Sequence, residues 1–190
     1  IEYLLREFPY TLRELWSAIC TMRKILLFRR IYPRAREYLG IAKMVDETCG
    51  TGAIELLKFI VAIESPGQDI LGSGLETACK HRQWDVAKYL LKSGVRVRPM
   101  SSTLYHACGG EQFELATMLI ERGADIASPH TNILCHAVMR ENLPVIKFAA
   151  AMWPEDRLQA SLDDALRLAC AAKSLDIVQY LVGLGANIRA

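Results

Sequence analysis

The chain has no run of about eighteen apolar residues, so no membrane-spanning helix is expected. Its first residues carry no signal-peptide pattern. It contains no C-x-x-C pair, the spacing from which zinc sites are usually built. Nor does it have the G-x-x-x-x-G-K-[ST] spacing of a phosphate-binding loop. A dominant charge sign is also missing. Its 23 Lys/Arg and 21 Asp/Glu leave a net charge of +2, which by itself does not point to nucleic acid. What is present is apolar content of 52% with 23% charged residues over 190 positions, enough chain to bury a sizeable core. The charge is unevenly spread: residues 1–45 carry nine basic and four acidic side chains. The chain starts at Ile1, and its opening "IEYLLREF" reads like the middle of a helix, so a piece of a longer protein is expected.

The six cysteines show the organisation. Cys20, Cys49, Cys79 and Cys108 stand 29, 30 and 29 residues apart, a spacing that signals an internal repeat. The segments around them agree. "VDETCGTGAIELLKFI" begins at Val45, "LETACKHRQWDVAKYLL" at Leu75, "LYHACGGEQFELATMLI" at Leu104, "LCHAVMRENLPVIKFAA" at Leu134 and "LRLACAAKSLDIVQYLV" at Leu166. Each opens on an apolar residue, places two small residues at the fourth and fifth positions, passes a polar turn and continues with helically spaced apolar residues. Every unit therefore reads as helix–turn–helix, with a short, small-faced first helix. Asn142 with Pro144 and Ser174 with Asp176 mark second-helix starts, where a cap satisfies free N–H groups and Pro suits the first turn. Asp85, Glu114 and Asp176 set negative charge at the positive helix end. Gly94 and Gly123 sit where a left-handed residue stops the helix.

This pattern resembles the ankyrin-repeat family. "GADI" at 123–126 and "GANI" at 185–188 match the family's G-A-D hairpin, and "LETACKHRQWDVAKYLL" matches its helix pair in apolar and small positions. The phrase "ALRLACAAKSLDIVQYLVGLGANIRA" is similar to the roughly 30-residue ankyrin units of large-DNA-virus proteins, and comparable units occur in microbial eukaryotes. The resemblance covers residues 45–190 as five repeats beginning near 45, 75, 104, 134 and 166. Residues 1–44 read as a degenerate or partial N-terminal repeat, because Arg29 and Arg30 fall where apolar residues belong. It implies an all-α solenoid of stacked helix–turn–helix units in one continuous domain. The family's Thr-Pro is missing from every unit. Its His is missing too, since Asp46, Glu76, Tyr105, Cys135 and Arg167 hold that place. The hairpins are expected to be short.

Against this frame, "YHACGGE" at 105–111 reads as packing rather than chemistry. Cys108 shares its repeat place with Cys49, Cys79 and Cys170, where free Cys serves as a small apolar spacer. Equivalent residues of stacked helices lie roughly 8–10 Å apart, beyond disulfide reach, and reduced thiols imply an intracellular setting, cytoplasmic or nuclear. His106 and Cys108 are two apart on a helix and point to different sides, which disfavours a nucleophile–base pair. "HTNILCH", from His130 to His136, offers three potential metal ligands at odd spacing.

The basic stretch "RKILLFRRIYPRAR", Arg23 to Arg36, interleaves Phe28 and Tyr32 with six cations. It is either an amphipathic helix with snorkelling side chains or a contact for nucleic acid or another anionic surface. Trp153 opens the insertion "WPEDRLQASLDD" at 153–164 and is either buried beneath it or an exposed anchor.

The resemblance implies a non-catalytic protein–protein interaction scaffold or adaptor that takes an unidentified protein partner on the concave face. No cofactor, metal, small-molecule substrate or membrane is implied, and nucleic acid is not the expected partner. The alternatives are the anionic contact through 23–36 and a docking arm of a larger enzyme. Repeat register nominates Lys80, His81, His106, His136, Met139 and Arg140 on the inner helices, and Arg96 and Arg98 at a hairpin, as partner-binding residues.

Overall fold

The computed structural model describes residues 10–22, 25–98, 102–128 and 132–187, and the opening "IEYLLREF" lies outside them. The described residues are all-helical and contain no strand. Eleven helices follow in order: α1 (Tyr10–Met22), α2 (Ile25–Thr51), α3 (Ile54–Glu64), α4 (Gln68–Lys80), α5 (Trp84–Lys92), α6 (Thr103–Gly109), α7 (Phe113–Glu121), α8 (Ile133–Met139), α9 (Leu143–Met152), α10 (Glu155–Ala172) and α11 (Leu175–Gly183). The chain packs as two compact units, residues 1–96 and 97–190.

In the first unit, α1 buries Trp16, Ile19 and Cys20, and α2 buries Phe28, Ile31, Tyr32 and Ala35. Both sets follow the 3.6-residue period of an amphipathic helix. Phe28 is the hub: its ring lies 4.6 Å from that of Trp16 and 5.6 Å, edge-on, from that of Phe59. Helix α2 is interrupted at Gly40 (φ 75°, ψ 159°), a conformation essentially open only to glycine. Helix α2 packs against α1, α3 and α4, and α4 also against α5. The second unit repeats the scheme. There α6 packs on α7 and α8, α8 on α9 and α10, and α10 on α11.

One turn recurs five times. Gly52, Arg82, Glu111, Glu141 and Lys173 all have positive φ, between 52° and 72°. In each case the next residue donates its N–H five residues back: Ala53 to Thr48, Gln83 to Ala78, Gln112 to Ala107, Asn142 to Ala137 and Ser174 to Ala169. The pattern reverses the chain while satisfying the carbonyls that the ending helix leaves free. Gly94, Gly123 and Gly185, at φ 86°, 97° and 95°, close three second helices in the same six-residue manner, with Val95, Ala124 and Ala186 bonding back to Leu90, Leu119 and Leu181.

Two local expectations need correction. Asn142 does cap α9, accepting the Val145 N–H at 3.0 Å. Ser174 does not cap α11; its hydroxyl is buried without a hydrogen-bond partner. The first helices are not uniformly short either. Helices α6 and α8 have seven residues, but α4 has 13 and α10 has 18. The insertion is the cause in α10. No breaker interrupts 155–172, and Leu162, Ala165, Leu166 and Ala169 continue one buried stripe. Trp153, two residues before this helix, is buried, 6% exposed.

Candidate functional site

Within each unit the faces of the first helices are lined by side chains that meet from one helix pair to the next. In the first unit the Thr77 hydroxyl on α4 donates to Asp46 on α2, and Lys43 pairs with Asp46 and Glu47 at 3.5 and 3.3 Å. In the second unit the same two repeat places hold Tyr105 on α6 and His136 on α8, with ring centroids 5.1 Å apart at 69°. A hydrogen bond where one unit has Asp and Thr is thus replaced by an edge-to-face ring contact where the other has Tyr and His.

Tyr105 also organises its surroundings. The ring of His106 lies 5.4 Å from it, and the Arg140 guanidinium donates to its hydroxyl at 3.3 Å. Between α6 and α8 lies a cavity of about 80 Å³. Cys108, Ile133, Ala137 and Val145 give it apolar walls. Tyr105, His136, Arg140 and Asn142 add polar atoms, and Gly109 forms part of its edge. Asn142 is already committed: its amide oxygen caps α9 and its NH2 donates to Glu111 at 2.8 Å.

The nominated residues divide between the two units. Lys80 at the end of α4 and His81 just after it are exposed; a Cβ built on Gly50 would lie 3.7 Å from the His81 ring, so that ring rests over α2. Arg96 is exposed at the loop after α5, where its backbone N–H donates to Gln68 at 3.0 Å; Arg98 is exposed and belongs to the second unit. In the second unit, His106 and His136 are half-buried on α6 and α8, and Met139 and Arg140 are exposed at the end of α8. Of these eight, His136 and Arg140 line the cavity. Repeat register did not select Tyr105, Ile133 or Asn142. Tyr105 did carry a signal, as an aromatic in a place held elsewhere by polar or small side chains.

Five of the six thiols are buried. Cys20, Cys49, Cys79 and Cys108 are buried, and burial pushes each up to about 12, so they stay protonated and unreactive at neutral pH. Cys135 is also raised, chiefly by burial and further by the charge of Asp164. None of the six is in a disulfide. Cys170 occupies the same repeat place as Cys108 but is exposed, on the last described helix pair. Among the described residues no cluster of three His, Cys, Asp or Glu could hold a metal; His130 lies outside them.

The basic stretch forms the first part of α2. Arg23 and Lys24 lie outside the described residues. Phe28 and Tyr32 are buried in the aromatic core and are not available to stack on bases. Arg29, Arg30, Arg34 and Arg36 are exposed. Arg29 lies 5.2 Å from the Phe59 ring and Arg36 pairs with Glu64, which also accepts from the Tyr32 hydroxyl at 2.8 Å. The hydrogen bonds from Arg36 and Tyr32 hold the Glu64 carboxyl below its ordinary value. No described helix is long and apolar enough to cross a membrane.

The insertion at 153–164 ties two loops to α10. Arg157 forms a two-pronged pair with Asp125 at 3.1 and 3.2 Å, lowering the Asp125 pKa. Gln159 donates to the Gly185 carbonyl at 3.0 Å, and Asp163 accepts the Asn187 N–H at 2.8 Å. The Asp125 side chain thus anchors its loop, whereas Asn187 is held through its backbone N–H. No protein-family model matches the chain, and no curated protein matches it.

Proposed function

We propose that the chain is a non-catalytic protein-interaction module of ankyrin-repeat type, binding an intracellular protein partner across the face of its first helices. The observation carrying this reading is the five-fold return of one turn at the same repeat place, with first helices packed side by side inside each unit. In such a row the outward residues are free to vary without disturbing the core. The nominated residues fit that role: Lys80, His81, Met139 and Arg140 are exposed at helix ends, and His106 and His136 are half-buried beside them. The protonated, buried thiol of Cys108 supports the spacer reading at that repeat place.

The test is capture of a partner by the 190-residue chain, followed by amide hydrogen exchange of the complex. Slowed exchange in α4, α6 or α8 supports the reading. A helical, folded sample that captures nothing, or whose protection maps only to the second helices, overturns it. The contact with an anionic surface through α2 rests on exposed Arg29, Arg30 and Arg34 alone. It requires binding to anionic vesicles or RNA that falls steeply with salt and disappears in the Arg29→Glu, Arg30→Glu variant.

A further inference from the structure

The cavity between α6 and α8 has a size and a charge that specify an occupant. A cavity of about 150 Å³ lined by aliphatic side chains holds benzene, whereas a single water takes about 30 Å³ of liquid. At about 80 Å³ and open to solvent on one side, the space here is about half that of the benzene-sized cavity, so a small aliphatic group can fill it while an aromatic ring would project out of it. It suits an isopropyl or isobutyl group. The walls agree: Cys108, Ile133, Ala137 and Val145 present methyl, methylene and sulfur surface, and the buried thiol stays neutral beside them.

The rim adds a charge requirement. Arg140 is exposed and has no carboxylate partner among the described residues; the bond it makes there is to the neutral Tyr105 hydroxyl. A guanidinium offers five donors in a planar fork that matches a carboxylate in two-pronged fashion. Glu111 is tied to Asn142, which lines the same cavity and is itself fixed as the cap of α9. Tyr105 braces Arg140 from one side while stacking edge-on with His136, so the fork is partly ordered before anything binds.

We propose that this cavity is a side-chain pocket for a partner segment carrying Val, Leu or Ile next to Asp or Glu, the aliphatic group filling the cavity and the carboxylate meeting Arg140. The proposal rests on the interaction-module reading and deepens it by naming the partner's chemistry. A segment is favoured over a free short-chain acid because the cavity alone buries few atoms. A tethered residue brings further contacts, and exposed Met139, next to Arg140 in the chain, offers adaptable apolar surface for them.

The experiment selects a displayed random heptapeptide library on the full 190-residue chain, then measures the enriched peptides by fluorescence polarisation. Consensus peptides pairing an aliphatic residue with an adjacent acid are expected. Their Kd should rise at least tenfold in Arg140→Glu and several-fold in Arg140→Lys, which keeps the charge but loses the fork. A second variant, Gly109→Val, narrows the cavity edge at a place where an added Cβ meets nothing within 4 Å, so it should weaken aliphatic peptides without unfolding α6. Circular dichroism checks that each variant remains folded. An aromatic or basic consensus, or an unchanged Kd in Arg140→Glu, overturns the proposal. So does isovalerate displacing the peptide at the peptide's own affinity, which would mark a small-acid site. If a captured protein partner binds Arg140→Glu as tightly as the parent chain, the pocket is refuted while the interaction module stands. A folded chain that enriches no peptide and captures no protein refutes both.

Discussion

Substituting Gly74 by alanine sets two opposing effects against each other, and the structure decides between them. Gly74 lies within α4 at helical φ, where alanine on an open helix would gain about 1 kcal/mol from propensity alone. Here the new Cβ would lie 2.9 Å from Cys49 Sγ and 3.0 Å from Val45 Cγ1, both on α2 and both fully buried. Ordinary carbon contacts begin near 3.5 Å, so α4 must move away from α2 by roughly half an ångström or more. Neither neighbour has a flexible end with which to absorb it. Overpacking of this kind costs about 1–3 kcal/mol, so the net effect is a loss of about 1 kcal/mol, and more for Gly74→Val. That corresponds to a Tm lowered by about 2–4 °C for a chain of this size, read by circular dichroism and by a shifted urea midpoint at constant m. Gly183→Ala is the control: its Cβ meets nothing within 4 Å, so the variant should be neutral or slightly stabilised. Adding Val45→Ala to Gly74→Ala should recover part of the loss, giving a non-additive cycle. If Gly74→Ala proves as stable as the parent, the close approach of α4 to α2 is not real and the spacer account of Cys49 fails.

Arg82→Gly should stabilise by about 0.5–1 kcal/mol, because the left-handed turn costs a non-glycine residue about 1–2 kcal/mol and glycine's added chain entropy offsets only part; the urea midpoint measures it, and a fall would contradict the turn geometry. Native protein treated with a thiol reagent at pH 8 should react rapidly at exposed Cys170 and slowly at Cys20, Cys49, Cys79 and Cys108; peptide mapping that finds Cys108 labelled first would contradict their burial. The Glu64 carboxyl is held below its ordinary value by Arg36 and Tyr32, so the stability it adds is present above the unfolded carboxylate range near pH 4 and is lost as the pH falls through its lower native value. Glu64→Gln should therefore flatten the acid limb of a stability–pH profile, and an unchanged limb would remove the Tyr32–Glu64–Arg36 contact from the account.

Helix content, turn places and spacer positions were legible in the sequence because each is written locally and then repeated. The Gly94 and Gly123 stops, the Asn142 cap and the burial of Cys49, Cys79 and Cys108 follow from residue type and a thirty-residue period. The break at Gly40 was not anticipated, since a lone glycine inside a helical pattern is more often tolerated than broken. Nor did the pattern show that Ser174 would leave α11 uncapped. Phe28 and Tyr32 follow the amphipathic alternative for the basic stretch, since the 3.6-residue period places both on the buried face of α2.

By itself, then, the order of residues settles an all-helical chain of repeated turns with small side chains between its helices, because hydrophobic period and backbone preference act within a few residues. Which side chains meet across neighbouring helices is a matter of packing at distances the period does not encode. The cavity beside Tyr105, His136 and Arg140 exists only because residues 31 and 35 positions apart are brought together, leaving about 80 Å³ unfilled between α6 and α8.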